Sequence, residues 1–142
     1  MKREIINPEV LGSPRGYSNG VLLGPGSTLF VAGQVGWNEH QRIVDGGFAA
    51  QFVQALRNVV TIVLAAGGTP EDIGQLTIYV CDRHEYVSAI KEVGAGYRSV
   101  MERHYPAMAL VEVSGLLEPG ARVEIEATAV IPEASTRGDL PL

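Results

Sequence analysis

From Phe48 to Ala66 the apolar residues return every three or four positions, at Phe52, Leu56, Val59, Val63 and Ala66. Gln51, Gln54, Arg57, Asn58 and Thr61 fall between them, so the spacing predicts one helix with an apolar stripe. Gly67-Gly68 closes it, glycine being favoured just past a helix end. Arg57 is the single charge in the span, so much of the remaining surface of this helix also needs cover. A chain holding such a helix must supply a sheet or a second helix to lie against it.

The residues on either side supply both. Gly20 to Leu23 and Thr28 to Gln34 are rich in β-formers and are separated by Pro25-Gly26-Ser27, which predicts a hairpin. Gly33 and Gly36 flank Gln34 and Val35, which suggests a bulge or a close approach to the backbone. Thr69-Pro70-Glu71-Asp72 reads as one capped turn, and Gly74 to Cys81 as a strand. Asp82 caps a second helix expected to run to about Glu102, with Tyr86, Ile90, Val93, Tyr97, Val100 and Met101 on its apolar face. Gly94 and Gly96 weaken that helix by roughly 1 kcal/mol each, and a close helix–sheet or helix–helix approach is the use expected of them. Strands at Ala107 to Ser114 and Arg122 to Ile131 follow. The order β-β-α-β-α-β-β is α+β, with both helices on one face of a mixed sheet. We expect one domain over residues 1–132 and a disordered tail over 133–142.

The sequence has 142 residues, enough for a single core. Only 19% of them are charged, against about 25% in an average soluble domain. Surface buried in an oligomer accounts for the deficit. A net charge of -5 repels polyanions, which argues against nucleic-acid partners and against a ribonuclease. The single cysteine, Cys81, allows no internal disulfide and reads as a buried small hydrophobe. Gly16 to Asn38, the longest uncharged stretch, is broken by glycines and a proline and is no membrane helix. Cytoplasmic residence is expected, with no membrane partner.

Residues able to carry chemistry are few. P-loop, GxGxxG, HExxH and GxSxG patterns are absent, and His40, His84 and His104 are too scattered for a metal triad. No metal and no cofactor are expected. On the last strand Val123, Ile125, Ala127 and Ala129 fill one face and Arg122, Glu124, Glu126 and Thr128 the other. On the strand before it, Ala107, Ala109, Val111 and Val113 are assigned to the apolar face, and Met108, Leu110, Glu112 and Ser114 to the opposite one. That arrangement gathers Glu112, Glu124 and Glu126. It reads either as a solvated face with Arg122 as counter-ion, or as a face meeting another subunit where a carboxylate can steer water or a proton.

Seven segments in order carry a resemblance: Ser18 to Val21, Val31 to Gln34, Gln51 to Val59, Ala65 to Gly68, Tyr105-Pro106-Ala107, Val111-Glu112-Val113 and Val123 to Ala127. Together they resemble the YjgF/RidA family of reactive-intermediate deaminases, also labelled L-PSP endoribonucleases, from about Asn7 to Ile131. The resemblance implies a chorismate-mutase-like subunit and a homotrimer whose sheets form a central barrel, with small-molecule clefts between subunits. It implies hydrolysis of enamines and imines to ammonia and 2-keto acids. By position it assigns Glu124 to water activation, and Tyr17 and Gly33 to the pocket.

One departure matters most. Where the active branch of the family reads Pro-Ala-Arg, this chain has Pro106-Ala107-Met108. An arginine–carboxylate clamp has two charge-assisted bonds of roughly 1.5–3 kcal/mol each, so its loss weakens carboxylate recognition by on the order of a hundred- to ten-thousand-fold. Met108 favours an apolar or aromatic ligand group instead. Gly16 replaces a proline and Ile90 an asparagine, which also makes the pocket more apolar. Arg15 and Arg103 read first as solvated side chains and second as replacements for the missing cation. Trp37 either walls the cleft or packs on its own domain. Two readings of function stay open: a deaminase-type hydrolase with a shifted substrate, and a trimeric ligand-binding or regulatory protein that lost the chemistry.

Overall fold

Alternation decides the sheet. Val123, Ile125, Ala127 and Ala129 of β6 (Val123–Ile131) are buried at 0–6% exposure, so this strand turns one full face inward. β4 (Ile73–Val80) pairs with it antiparallel and sets Leu76 against Ala127, Ile78 against Ile125 and Val80 against Val123. β3 (Ser27–Val35) flanks β6 antiparallel, and β5 (Ala107–Glu112) flanks β4 in parallel, giving the order β3-β6-β4-β5. The computed structural model describes residues 1–133, so the expected tail lies outside the described residues except for Glu133.

The helices cover one face. α1 (Gly47–Ala65) buries Phe52, Ala55, Leu56, Val59 and Val63 against β3 and β6. By length and composition it could cross a bilayer, yet here it is the central core helix. Two of its polar residues anchor loops rather than face solvent. Gln51, 6% exposed, donates to the Gly120 carbonyl at 3.2 Å and accepts from the Arg122 amide at 2.8 Å. Asn58 donates to the carbonyls of Val35 and Trp37.

The second helix is two. Asp82 caps it as expected, accepting from the His84 amide at 2.9 Å, but α2 (Arg83–Ser88) ends at Ala89 and α3 (Ile90–Met101) begins there. α3 lies beside α1, and a Cβ on Gly96 would come within 2.1 Å of a Val53 methyl. The glycine thus permits the helix–helix approach expected of it.

Three further expectations are corrected. The predicted hairpin does not form: β2 (Gly20–Gly24) pairs with an unforeseen β1 (Lys2–Ile6), while β3 pairs with β6. Gly26 passes so close to the end of β6 that a Cβ there would lie 2.5 Å from the Ile131 carbonyl oxygen, so the chain swings onto β6 instead of folding back. The faces of β5 are also reversed. Parallel pairing sets Met108 beside Leu76 and Leu110 beside Ile78, on the helix side, leaving Ala107, Ala109 and Val111 on the outer face. Glu112 follows Met108 to the helix side and accepts from the Arg83 amide at 2.9 Å. Finally, Arg122 is no counter-ion for the outer carboxylates, because Glu85 of α2 holds it at 2.5–2.8 Å. That hydrogen bond and the Glu85 charge raise the guanidinium pKa further.

Candidate functional site

The sequence-derived site residues separate into two groups on opposite faces of the sheet. The first surrounds Met108. Its β5 position aims it toward α2 and α3, and it lines a cavity of about 440 Å³ with Phe52, Ile78, Tyr86, Ile90 and Val93. Arg15, Gly16, Gly94, Tyr97, Arg98 and Tyr105 complete the lining.

Local packing holds these walls. Ser18, 6% exposed, donates its hydroxyl to the Tyr105 carbonyl and its amide to the Pro106 carbonyl, and bridges to Ala107. This fastens the Arg15–Tyr17 segment along the edge of β5. Tyr97 and Tyr105 stack with ring centroids 5.3 Å apart, and the Tyr97 hydroxyl donates to the His104 carbonyl at 2.6 Å. Burial, then the neighbouring Tyr105, raises the Tyr97 pKa, so it stays protonated. Tyr86 meets Phe52 at 6.5 Å and Phe48 at 6.4 Å between centroids, and burial raises its pKa as well. His104 donates from Nε2 to the Ile73 carbonyl at 2.7 Å, which ties the loop before β5 to the sheet.

Of the two arginines offered as replacements for the missing cation, Arg15 lines the cavity and Arg103 does not. Arg103 is exposed in the turn after α3 and is absent from the cavity lining, because the helix ends at Met101 and the chain reverses at Glu102 with φ +57°. Arg98 lines the cavity instead, with Arg15. The signal was available: Ile90, Gly94 and Arg98 are spaced by four and form one stripe of α3. Tyr17, carried over as a pocket residue, is 41% exposed beside β5 and lies outside the lining.

The second group surrounds Glu124 on the outer face. The register of β3 on β6 shifts between Val31 and Gln34, and the resulting bulge contains Gly33. A Cβ on Gly33 would lie 2.1 Å from Glu124 Oε2, so the carboxylate rests directly on the glycine backbone. This is the close approach that the Gly33 and Gly36 pattern suggested, and Gly36 likewise meets the Gln51 backbone, at 2.6 Å from a built Cβ. Glu126, two residues along, accepts from the Tyr79 hydroxyl at 2.6 Å. That bond, partial desolvation and the charges of Glu126 and Glu124 raise the Tyr79 pKa. Among the described residues no Lys or Arg lies within 4 Å of either carboxylate. Trp37 stands beyond the end of β3, half-buried, bridged to Ile43 and held through its carbonyl by Asn58. It is not among the residues that line the Met108 cavity.

Comparison with known proteins places this geometry in context. The sequence profile described as Endoribonuclease L-PSP matches residues 9–131. The chain is 30% identical over 131 residues to the human 2-iminobutanoate/2-iminopropanoate deaminase, covering 92% of this chain and 90% of that protein. Its fold is similar to the crystal structure of YyfB of Yersinia pestis, a Rid-family protein of unknown function. The TM-score is 0.81 at 35% identity, over 92% of this chain and 100% of that one. It is also similar to Escherichia coli TdcF, solved with bound serine, at a TM-score of 0.64 and 32% identity, over 84% of this chain and 91% of that one.

Proposed function

The chain belongs to the endoribonuclease L-PSP family, and from that premise we propose that it hydrolyses the C=N bond of a small reactive imine, or of the imine tautomer of an enamine, releasing ammonia. The deaminase name of the human relative supports the reaction class. The observation that carries the residue assignment is the Glu124 carboxylate lying on Gly33 at the bulge, with no cation within 4 Å among the described residues. An unneutralised carboxylate in a fixed place can accept a proton from water.

In the proposed reaction the oxygen of water bonds to the imine carbon as the π pair of C=N moves to nitrogen. Glu124 takes the proton that water loses and delivers it to that nitrogen. Collapse of the carbinolamine forms C=O, breaks C–N and sends the hydroxyl proton to the leaving ammonia. Imine plus water thus becomes carbonyl compound plus ammonia, with no cofactor or metal. Backbone at the Gly33 bulge lines the reacting end, while Met108 makes the other end more apolar than an arginine would. Tyr17 and Trp37 remain rim candidates that become walls only when a neighbour closes over them.

We further propose that the working form is a homotrimer. Phe30 on one edge strand is 78% exposed on the outer face and Val111 on the other edge strand 41%, so this face leaves apolar surface bare at both edges. Glu124 and Met108 lie on opposite faces of one subunit, so a second copy is needed to bring one group against the other. Cytoplasmic residence belongs to the same reading and fits one free thiol, Cys81.

The test supplies purified protein with a panel of amino acids and their oxidase and follows ammonia. Acceleration over buffer is expected, falling roughly a hundredfold or more in Glu124→Ala. Equal rates with and without the protein for every substrate would exclude the reading. Met108 favours a second one, a ligand-binding protein without chemistry. Thermal stabilisation by small apolar acids with no turnover would select it.

A further inference from the structure

The Met108 cavity is lined by two charges, Arg15 and Arg98, and by no carboxylate. Neither arginine is in an ion pair within 4 Å among the described residues. The fold also makes room for one of them. Long side chains of a helix lie back over the preceding turn, so Arg98 covers Gly94. A Cβ at Gly94 would stand 3.3 Å from Arg98 Nη1, tighter than ordinary contact, so glycine lets the guanidinium lie flat along the cavity wall.

The rest of the cavity is apolar and aromatic. Phe52, Tyr86, Ile90 and Met108 provide faces for a ring or a branched chain, and methionine sulfur adds a favourable contact with aromatic groups. The Tyr97 hydroxyl is already spent on the His104 carbonyl, so it offers a ligand no free donor. At about 440 Å³ the space falls in the range of pockets that enclose drug-sized ligands, about 300–1,000 Å³, and a four-carbon acid would leave most of it unfilled.

Resting on the hydrolase reading, we infer that the ligand is an aromatic or large apolar 2-imino or 2-oxo acid, its carboxylate held by Arg98 with Arg15 and its side chain laid over Met108. The guanidinium of α3 thereby takes over the anion-binding role that position 108 lacks, from another element of the same wall. A planar five-donor fork suits a carboxylate better than an ammonium does.

Calorimetric titration of the full chain with phenylpyruvate, 2-oxobutanoate and the uncharged phenylacetone tests this. Phenylpyruvate is expected to bind at least tenfold more tightly than 2-oxobutanoate. Arg98→Ala is expected to weaken phenylpyruvate at least tenfold, about 1.4 kcal/mol, and to leave phenylacetone within twofold. Arg98→Lys should recover part of the loss, and Arg57→Ala, at an exposed α1 arginine outside the cavity lining, should cause none of it. Unchanged phenylpyruvate affinity in Arg98→Ala, or equal affinity for the two oxo acids, overturns the inference. The ammonia assay separates the two proposals. Arg98-dependent binding without turnover overturns the hydrolase and keeps the anchor; turnover indifferent to Arg98→Ala does the reverse.

Discussion

The two faces of the sheet solve the same packing problem in opposite ways. On the inner face α1, α2 and α3 cover β4, β5 and β6, and the cavity beside Met108 is walled within one subunit. On the outer face β3, β5 and β6 present Phe30, Val111, Glu124 and Glu126 with no element of the described chain over them. One face has a pocket shaped for recognition and no carboxylate in it. The other has the carboxylates and no enclosed apolar wall. The difference teaches that the two groups the proposed reaction needs, the Glu124 carboxylate and the Met108 cavity, lie on surfaces that a single subunit does not join.

That comparison breaks most visibly at Phe30. Phe30→Asp puts a charge on the apolar part of the outer face, and we expect sedimentation to show single subunits, with ammonia release reduced at least a hundredfold and far-UV circular dichroism unchanged. Single subunits that retain full activity would show that the outer face takes no part. Next in size is Gly33→Ala, whose methyl would overlap Glu124 and force the carboxylate off the bulge. A ten- to hundredfold loss of rate is expected, since general-base catalysis contributes about 10²–10⁴ and requires contact with the water, while phenylpyruvate binding on the inner face changes little.

Smaller effects sharpen the inner face. Tyr97→Phe removes the bond to the His104 carbonyl and should cost about 1 kcal/mol in urea denaturation at neutral pH. Because burial raises the Tyr97 pKa, the folded state keeps this proton where the unfolded chain starts to lose it, above about pH 10. The contribution is complete below that pH and declines as pH rises further, so the variant should lose stability less steeply there than the wild type. An identical slope for both proteins would remove burial as the cause. Smallest is Arg122→Ala: its pair with Glu85 is 33–42% exposed, and about 0–1 kcal/mol is expected in the same measurement.

Much of this was legible before any coordinates. The α1 stripe, the Asp82 cap, the alternation of β6 and the close-approach glycines Gly33, Gly36 and Gly96 each depend on a local rule of spacing or sterics. β5 was not legible in the same way. Ala107-Met108-Ala109-Leu110-Val111 is apolar at every position, so a period of two selects no face. β1 was missed because its residues, Lys2 to Ile6, are all exposed and carry no alternation.

The α+β class, the family and the order of elements from β2 onward, with α2 and α3 read as one helix, therefore follow from the chain itself, because helical and strand periods are written in neighbouring residues. Tertiary structure alone decided that Met108 faces α3 rather than Glu124, since parallel pairing with Leu76 of β4, 32 residues earlier in the chain, sets that phase. It also decided that Arg98 rather than Arg103 reaches the cavity, because helix rotation and the point where α3 ends determine where a side chain arrives.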